Sequence, residues 1–191
     1  MPAPTESPDL MPWRPTRGQL EAARGRSIPD VVGPGLRVLF CGINPSLYSA
    51  AVGHHFARPG NRFWPALFGA GFTDRLLSPF EDARLLEWRL GCTNLVQRAT
   101  ARADELTAAE LELGAARLRE LVRKYRPRAL AVLGVSAYRA AFQAPRALPG
   151  AQAETYDSTR LWLLPNPSGL NAHYQLPDLV AAFAALRTAA G

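Results

Sequence analysis

The chain has 191 residues, 48% of them hydrophobic, a length that suits one α/β domain or one domain with a tail. No stretch approaches the roughly 18 uninterrupted apolar residues of a membrane-spanning helix, and the N-terminus lacks the apolar core of a signal peptide, so we expect a cytoplasmic protein. The 22 Lys and Arg residues against 16 Asp and Glu give a net charge of +6, which favours a polyanion such as nucleic acid as a partner, although an Arg-rich genome would leave the same excess.

The first 27 residues predict an N-terminal arm. Five prolines among residues 1–16 are typical of a poorly ordered segment, and residues 17–26 predict a short helix. We expect residues 28–191 to form a single domain.

Apolar runs and capping signals predict alternating strands and helices in this domain. Short continuous apolar segments indicate strands that are buried on both faces, and Ser-x-x-Glu and Thr-x-x-Glu capping boxes mark helix starts. The predicted strands are 36–41, 92–96, 128–134 and 160–164, and the predicted helices are 61–70, 78–90, 107–125, 135–142 and one that starts near residue 177.

This order of elements requires crossover connections, and it therefore predicts a mostly parallel sheet with helices on both faces. Ligands of such sheets bind beyond the carboxyl ends of the strands. Two polar loops, 42–60 and 165–175, each follow a predicted strand. We expect these loops to face each other on one rim of the sheet.

The first loop begins with Gly-Ile-Asn-Pro at residues 42–45. Pro45 restricts the backbone of Asn44, and an amide held at a strand end can orient a water molecule or a base edge. The alternative is an Asx-turn, in which Asn44 only caps its own loop.

The second loop repeats this pattern as Asn-Pro-Ser-Gly-Leu-Asn at residues 166–171. Two Asn-Pro pairs, each after a strand, are more informative than one. Leu170 stands in a polar, Gly-flanked loop, and it is a candidate wedge of the kind that enters a duplex and replaces an extruded base. The alternative is a leucine that folds back onto the domain.

The end of the first loop concentrates aromatic and basic residues. Phe56 is a candidate stacking platform for a base, whereas Phe63 and Trp64, at a helix start, are expected in the core. Arg58 and Arg62 are candidates for phosphate contacts, since nucleic-acid backbones are bound mainly by arginine and lysine.

The histidines and cysteines predict no metal site. Adjacent side chains on extended backbone point apart, so His54 and His55 make a poor metal pair. Cys41 and Cys92 are too few for a disulfide framework or a four-cysteine site, and we expect both to be buried. His173 lies in the second loop, where it could approach a phosphate or the reacting centre.

Several common catalytic signatures are absent from the sequence. It contains no GxxxxGK[ST] motif, no GxGxxG after the first strand and no GxSxG motif, so a P-loop ATPase, a dinucleotide-binding fold and an α/β-hydrolase are not supported. Lys124, the only lysine, lies in a charged helix end, which argues against Schiff-base chemistry.

The two polar loops also contain no carboxylate, so hydrolysis there would lack a strong general base and would be slow. Asp82 follows a predicted helix start. It is either a distant base or an acidic residue that stabilises the helix N-terminus.

Three segments carry a resemblance to a known family: GLRVLFCGINPS (35–46), FARPGNRFWPALFGAGFTDRLL (56–77) and LPNPSGLN (164–171). From about residue 28 to the C-terminus, the chain resembles the mismatch-specific uracil-DNA glycosylases, the bacterial branch of the thymine-DNA glycosylase family. The resemblance implies an α/β/α sandwich with no metal and no cofactor. It also implies a base excision repair enzyme, a monomer on double-stranded DNA, that hydrolyses the N-glycosidic bond of uracil mispaired with guanine, with ethenocytosine and thymine as further candidates.

The same resemblance implies roles for individual residues. Asn44 would align the attacking water, and Asn166 would hold the base and its leaving group. Substrate contacts are implied for Gly42, Ile43, Ser49, Phe56 and Asn94. The wedge and the contacts to the opposite base are implied for Ser168, Gly169, Leu170 and Asn171.

The implied chemistry predicts a slow enzyme. The target nucleotide must leave the duplex, at a cost of a few kcal/mol that is smaller for a weak G·U pair. Uracil leaves as an anion that backbone N–H groups can stabilise, but a neutral Asn44 can barely accept a proton from water. We expect a monofunctional enzyme that leaves an abasic site. A non-catalytic DNA-damage-binding protein and a hydrolase of free nucleosides are the alternatives.

Overall fold

A computed structural model describes residues 14–191, and five strands form one sheet at its centre: β1 Val38–Gly42, β2 Leu90–Asn94, β3 Ala129–Leu133, β4 Gly150–Tyr156 and β5 Thr159–Leu164. The order across the sheet is β2-β1-β3-β5-β4. The first three neighbouring pairs are parallel, and β4 joins β5 antiparallel at the edge. The prediction of a mostly parallel sheet is confirmed, and each predicted strand is shifted by at most two residues.

The edge strand β4 was not predicted from the sequence. Its residues are mostly polar and its side chains are largely exposed, so it shows neither the continuous apolar run of a central strand nor a clear alternation. Pairing with β5 through a short turn supplies its hydrogen bonds.

Six α-helices and two 3₁₀ helices surround the sheet in the described part of the chain. The α-helices are α1 Arg17–Ala22, α2 Leu47–Val52, α3 Phe63–Gly69, α4 Ala108–Tyr125, α5 Val135–Ala141 and α6 Leu176–Ala190, and the 3₁₀ helices are Pro79–Trp88 and Ala103–Glu105. The capping boxes at Ser78 and Thr107 are present as predicted. The helix after Ser78 is 3₁₀ rather than α, and its backbone is kinked at Glu81.

The side chains of alternate strand residues point to opposite faces of the sheet and pack into two separate hydrophobic cores. One core packs the Phe40 face of the sheet against α3 and α6, where the Phe40 ring meets Phe63 edge-on at 5.3 Å between centroids. The other core packs the opposite face, which includes Leu39, against α4 and α5. These layers confirm the α/β/α sandwich, and they leave the carboxyl ends of the strands uncovered for a site.

The N-terminal helix packs onto the domain instead of projecting from it. A capping box begins α1 at Thr16, and Ala23 and Ile28 are buried with Ala50 and Ala99. The expectation of a disordered arm concerns residues 1–16 and lies largely outside the described residues. Between residues 14 and 191, no helix is both long and apolar enough to cross a membrane.

Candidate active site

A cavity of about 680 Å³ opens where the parallel strands end. Asn44 and Asn166, one from each polar loop, both line it, so the sheet brings the two Asn-Pro turns to one rim. The predicted site residues that line the cavity are Gly42, Ile43, Asn44, Ser49, Phe56, Arg58, Asn94, Asn166, Ser168, Leu170, Asn171 and His173. Three others, Arg62, Asp82 and Gly169, do not line it.

The side chain of Asn44 is held by both hydrogens of its amide. Its Nδ2 donates to the carbonyl oxygen of Arg98 at 3.0 Å and to the hydroxyl of Thr100 at 2.8 Å. A carbonyl oxygen can only accept, so these contacts fix which end of the amide is nitrogen. The Oδ1 atom has no hydrogen-bond partner within residues 14–191, which leaves a fixed acceptor at the cavity. The Asx-turn alternative does not apply to Asn44.

An aromatic platform lies beside this acceptor. Phe56 adopts a left-handed backbone conformation, with φ of 53°, and its ring stacks on Phe63 at 4.0 Å with 19° between the planes. A Cβ on Gly42 would lie 3.2 Å from the Phe56 ring and 2.7 Å from Oδ1 of Asn94. The absence of a side chain at Gly42 therefore keeps space open between the ring and the amide.

A buried histidine orients the amide of Asn94. Nε2 of His55 lies 3.0 Å from the carbonyl oxygen of Pro29, so Nε2 carries the hydrogen and donates it. Burial lowers the pKa of His55 and favours the neutral ring. Its Nδ1 is then an acceptor for the amide nitrogen of Asn94, 3.5 Å away, and this turns Oδ1 of Asn94 towards Gly42.

Asp82 supports this histidine pair and does not reach the cavity. Its Oδ1 lies 2.9 Å from Nδ1 of His54, and its Oδ2 accepts the backbone N–H of His55 at 2.9 Å. Both oxygens of this buried carboxylate are therefore engaged. These contacts argue against a role as a distant base, and Asp82 lies in the first turn of its helix, as the structural alternative expected.

The second loop forms a tight turn with an exposed leucine. Oδ1 of Asn166 accepts the backbone N–H of Ser168 at 3.0 Å, so the Asx-turn occurs here, and Nδ2 of Asn166 is left without a partner among the described residues. The amide of Asn171 donates to the carbonyl of Asn166 at 2.9 Å. Leu170 is 72% exposed, so it does not fold back into the core.

The sequence suggested that Arg62 contacts a phosphate. In the structure its guanidinium is instead bound by carbonyl oxygens of the second loop. It donates to Ser168 at 2.5 Å, to Asn171 at 2.8 Å and to Tyr174 at 2.5 Å. Its backbone N–H also donates to Pro167 at 2.9 Å. Arg58, in contrast, is exposed at the cavity and forms no ion pair with residues 14–191.

Ionisable groups are scarce around the cavity. Among the described lining residues the carboxylate is that of Asp104, and it pairs with Arg102 at 2.5 Å. His173 is exposed at the edge. Within residues 14–191, no three His, Cys, Asp or Glu side chains converge as a metal site requires. Cys41 and Cys92 are buried as predicted, and burial raises the pKa of both thiols.

Comparison with known proteins identifies the family of this chain. Residues 29–187 match the family model of the uracil DNA glycosylase superfamily. The chain belongs to that superfamily. It is therefore a DNA glycosylase, a hydrolase of base excision repair that acts on DNA.

A solved structure gives the same fold for this glycosylase. The solution NMR structure of a candidate uracil DNA glycosylase from Methanosarcina acetivorans matches it with a TM-score of 0.57 at 20% sequence identity. The match covers 85% of this chain and 98% of the archaeal chain. At this identity the likeness concerns the fold alone.

Several residues of the glycosylase site were not found from the sequence. Arg98 and Thr100 hold Asn44 from more than 50 positions away, and His55 reaches Asn94 across 39 positions. No local spacing signals such pairs. The clearest hint in the sequence was the adjacent pair His54 and His55 before Phe56, which suggested only a poor metal pair.

Proposed function

We propose that this glycosylase releases uracil mispaired with guanine from double-stranded DNA, as a monofunctional enzyme of the mismatch-specific branch, and acts as a cytoplasmic monomer. Ethenocytosine and thymine are the related substrates to test. The observation that carries the proposal is the Oδ1 atom of Asn44, a fixed and unoccupied acceptor in the cavity that also holds Phe56 and Asn166.

The extruded base would stack on Phe56. Base-aromatic stacking contributes about 1–3 kcal/mol, and Phe63 behind the ring keeps Phe56 in place. The space beside Gly42 would receive the edge of the base, with Oδ1 of Asn94 as an acceptor for a ring N–H. Ser49 is buried at the cavity, and the room next to it would decide whether the methyl group of thymine fits.

Asn44 would position the attacking water without activating it strongly. Its Oδ1 can accept one water hydrogen and so direct the water oxygen at the sugar carbon, but an amide does not take up the proton. The free Nδ2 of Asn166 can donate to the leaving base, whose negative charge grows as the bond breaks. This combination supports a slow hydrolysis that depends on leaving-group stabilisation.

Leu170 would fill the vacancy left by the base. It is exposed at the edge of the cavity, and an apolar wedge between base steps offsets part of the unstacking cost. A G·U pair costs less to open than a correct pair, which supports the choice of mismatch.

The position of the lysine supports a monofunctional reaction. Lys124, the chain's only lysine, lies in the last turn of α4 over the ring of Tyr125 and does not line the cavity. A Schiff base with the opened sugar needs an amine at the reaction centre. Water is therefore the expected nucleophile, and an intact abasic strand the expected product.

A cleavage assay on a labelled duplex with one U·G pair tests the proposal. Alkali should break the strand at the uracil position after incubation with the protein, and Asn44→Ala should lower single-turnover release by about 10²-fold or more while duplex binding persists. Matched duplexes with U·A, T·G and ethenocytosine·G define the specificity.

Other outcomes would contradict the proposal. Binding of the U·G duplex without strand breakage at stoichiometric protein would indicate a non-catalytic DNA-damage-binding protein. Release of uracil from free deoxyuridine but not from the duplex would indicate a nucleoside hydrolase. Breakage without alkali would contradict the monofunctional reaction.

A further inference from the structure

The segment Thr16 to Ile28, here called the N-terminal strap, lies before the part of the chain that matches the family. It consists of α1 and the turn that follows, and it is bound to the domain. Ala23 and Ile28 are 0% and 2% exposed, and they pack with Ala50 of α2 and with Ala99. The strap is thus packed against α2 and against the segment around Ala99.

Two backbone hydrogen bonds join the strap to Ala99. The N–H of Gly25 donates to the carbonyl of Ala99 at 2.9 Å, and the N–H of Ala99 donates to the carbonyl of Arg26 at 2.9 Å. Ala99 itself is fully buried. Both backbone polar groups of this residue are thus satisfied by the strap, and a buried backbone group that loses its partner destabilises the local structure.

The residues on either side of Ala99 hold the side chain of Asn44. Arg98 supplies the carbonyl oxygen and Thr100 the hydroxyl that accept from Nδ2 of Asn44. The N–H of Thr100 also donates to the carbonyl of Pro45 at 3.2 Å. Residues 98–100 therefore lie between the strap on one side and the Asn-Pro turn on the other.

We propose that the N-terminal strap is a positioning element that fixes the carboxamide of Asn44 through residues 98–100. The inference rests on the proposed role of Asn44. Without the two hydrogen bonds to Ala99, residues 98–100 shift or fluctuate, the two acceptors no longer hold Nδ2 together, and Oδ1 has no fixed direction. Within residues 14–191 no hydrogen bond joins the strap to the second loop or to Arg58, and Ile28 is the strap residue that lines the cavity. We therefore expect duplex affinity to change little while the chemical step slows.

Gly25 offers a direct way to break these hydrogen bonds in the full-length chain. Its φ of +77° is closed to proline, and proline also lacks the N–H that donates to Ala99. Gly25→Ala is the milder variant, since a Cβ there meets nothing within 4 Å and only the backbone conformation is strained. Gly35→Ala is the matched control, because Gly35 has a similar φ of +69° and precedes β1 at the opposite end of the sheet.

The experiment is a double-mutant cycle with Asn44→Ala, measured as single-turnover release of uracil from the U·G duplex. Gly25→Pro should slow release about tenfold or more in the wild-type background and less than about twofold in the Asn44→Ala background, since a pair that acts as a unit is non-additive. The Kd for the duplex should stay within about twofold of the wild-type value. Gly25→Ala should show the same pattern with a smaller effect, and Gly35→Ala should show none.

The outcomes separate the inference from the proposed function. Equal release by wild type and Asn44→Ala would overturn the role of Asn44 and the inference with it. Slower release in Asn44→Ala with normal release in both Gly25 variants would overturn the strap alone. An equal fold reduction in both backgrounds would show that the strap only stabilises the fold. If Gly25→Pro does not fold, the comparison of Gly25→Ala with Gly35→Ala decides in the same way.

Discussion

Gly169 lies so close to Gly60 that a Cβ on Gly169 would stand 2.6 Å from the Gly60 carbonyl oxygen. The turn that carries Leu170 therefore rests on the backbone that follows Phe56. Arg62 fastens the same two loops by donating to the carbonyl oxygens of Ser168 and Asn171. The proposed wedge and the proposed base platform thus form one rigid body.

Gly169→Ala should displace the wedge turn without unfolding the protein. A methyl group cannot stand 2.6 Å from the Gly60 carbonyl oxygen, so the turn must lift and carry Leu170 with it. We expect weaker binding and slower release on U·G duplexes, with a melting temperature near that of wild type. Fluorescence of 2-aminopurine next to the uracil reports impaired base flipping, and unchanged fluorescence and release would contradict the shared rigid body.

Arg62→Gln should destabilise the fold, and its effect on duplex binding should come from the displaced wedge turn rather than from a lost phosphate contact. Its removal leaves several part-buried carbonyl oxygens without a charged donor, which costs about 2–4 kcal/mol. Urea denaturation measures this change in the free energy of unfolding, and Arg58→Gln is the control with little effect on stability.

The salt dependence of duplex binding distinguishes the two arginines further. If Arg58 binds a phosphate, Arg58→Gln should reduce the slope of log K against log salt by about one. The slope for Arg62→Gln should equal that of wild type. A reduced slope for Arg62→Gln would restore the phosphate role that the structure argues against.

The strands could be predicted because burial on both faces demands continuous apolar residues, as in Val38 to Cys41. The short helix α2 could not, because Leu47–Val52 lies inside a loop and its helical start depends on one Ser46 cap. Strand β4 depends on tertiary pairing with β5 and has no apolar signal of its own.

At the candidate site, too, the local sequence pattern predicted positions but not the contacts that depend on tertiary packing. The position of Asn44 after a strand was sufficient to place it on the rim, because parallel strands end at one edge. The partners of Arg62 and Asp82 were not predictable, since they lie 27 to 112 positions away. Charge alone suggested a phosphate contact for Arg62 and left Asp82 as either a distant base or a helix-start residue, whereas packing turned both towards backbone and side-chain partners.

Gly42→Ala should abolish excision while the sheet stays intact. A methyl group there would lie 2.7 Å from Oδ1 of Asn94 and 3.2 Å from the Phe56 ring, in the space proposed for the edge of the base. We expect single-turnover release on U·G duplexes to fall about 10²-fold or more, with the melting temperature lowered by a few degrees. Gly33→Ala, where a Cβ would meet the Leu86 side chain at 3.4 Å, is a control that should release uracil normally.

Protonation of His55 as the pH falls should lower both the stability of the fold and the rate of uracil release. Burial lowers the pKa of His55 below its ordinary value of 6.5, against the opposing effects of the Pro29 carbonyl and of Asp82 and Asp30, and His54 lowers it further. In the window from pH 6.5 down to the folded-state pKa the unfolded chain binds more protons, so stability falls as the pH falls, by up to about 1.4 kcal/mol per pH unit.

Urea denaturation between about pH 7.5 and 5 should show this decrease in wild type and a flatter dependence in His55→Gln, with His54→Gln as the control for the loss of the neighbouring histidine. Uracil release should fall over the same window, because a protonated ring offers Asn94 a donor at Nδ1 where its amide nitrogen needs an acceptor. The amide must then turn away from His55, and Oδ1 leaves the pocket. Identical pH profiles for wild type and His55→Gln would mean that His55 does not set the orientation of Asn94.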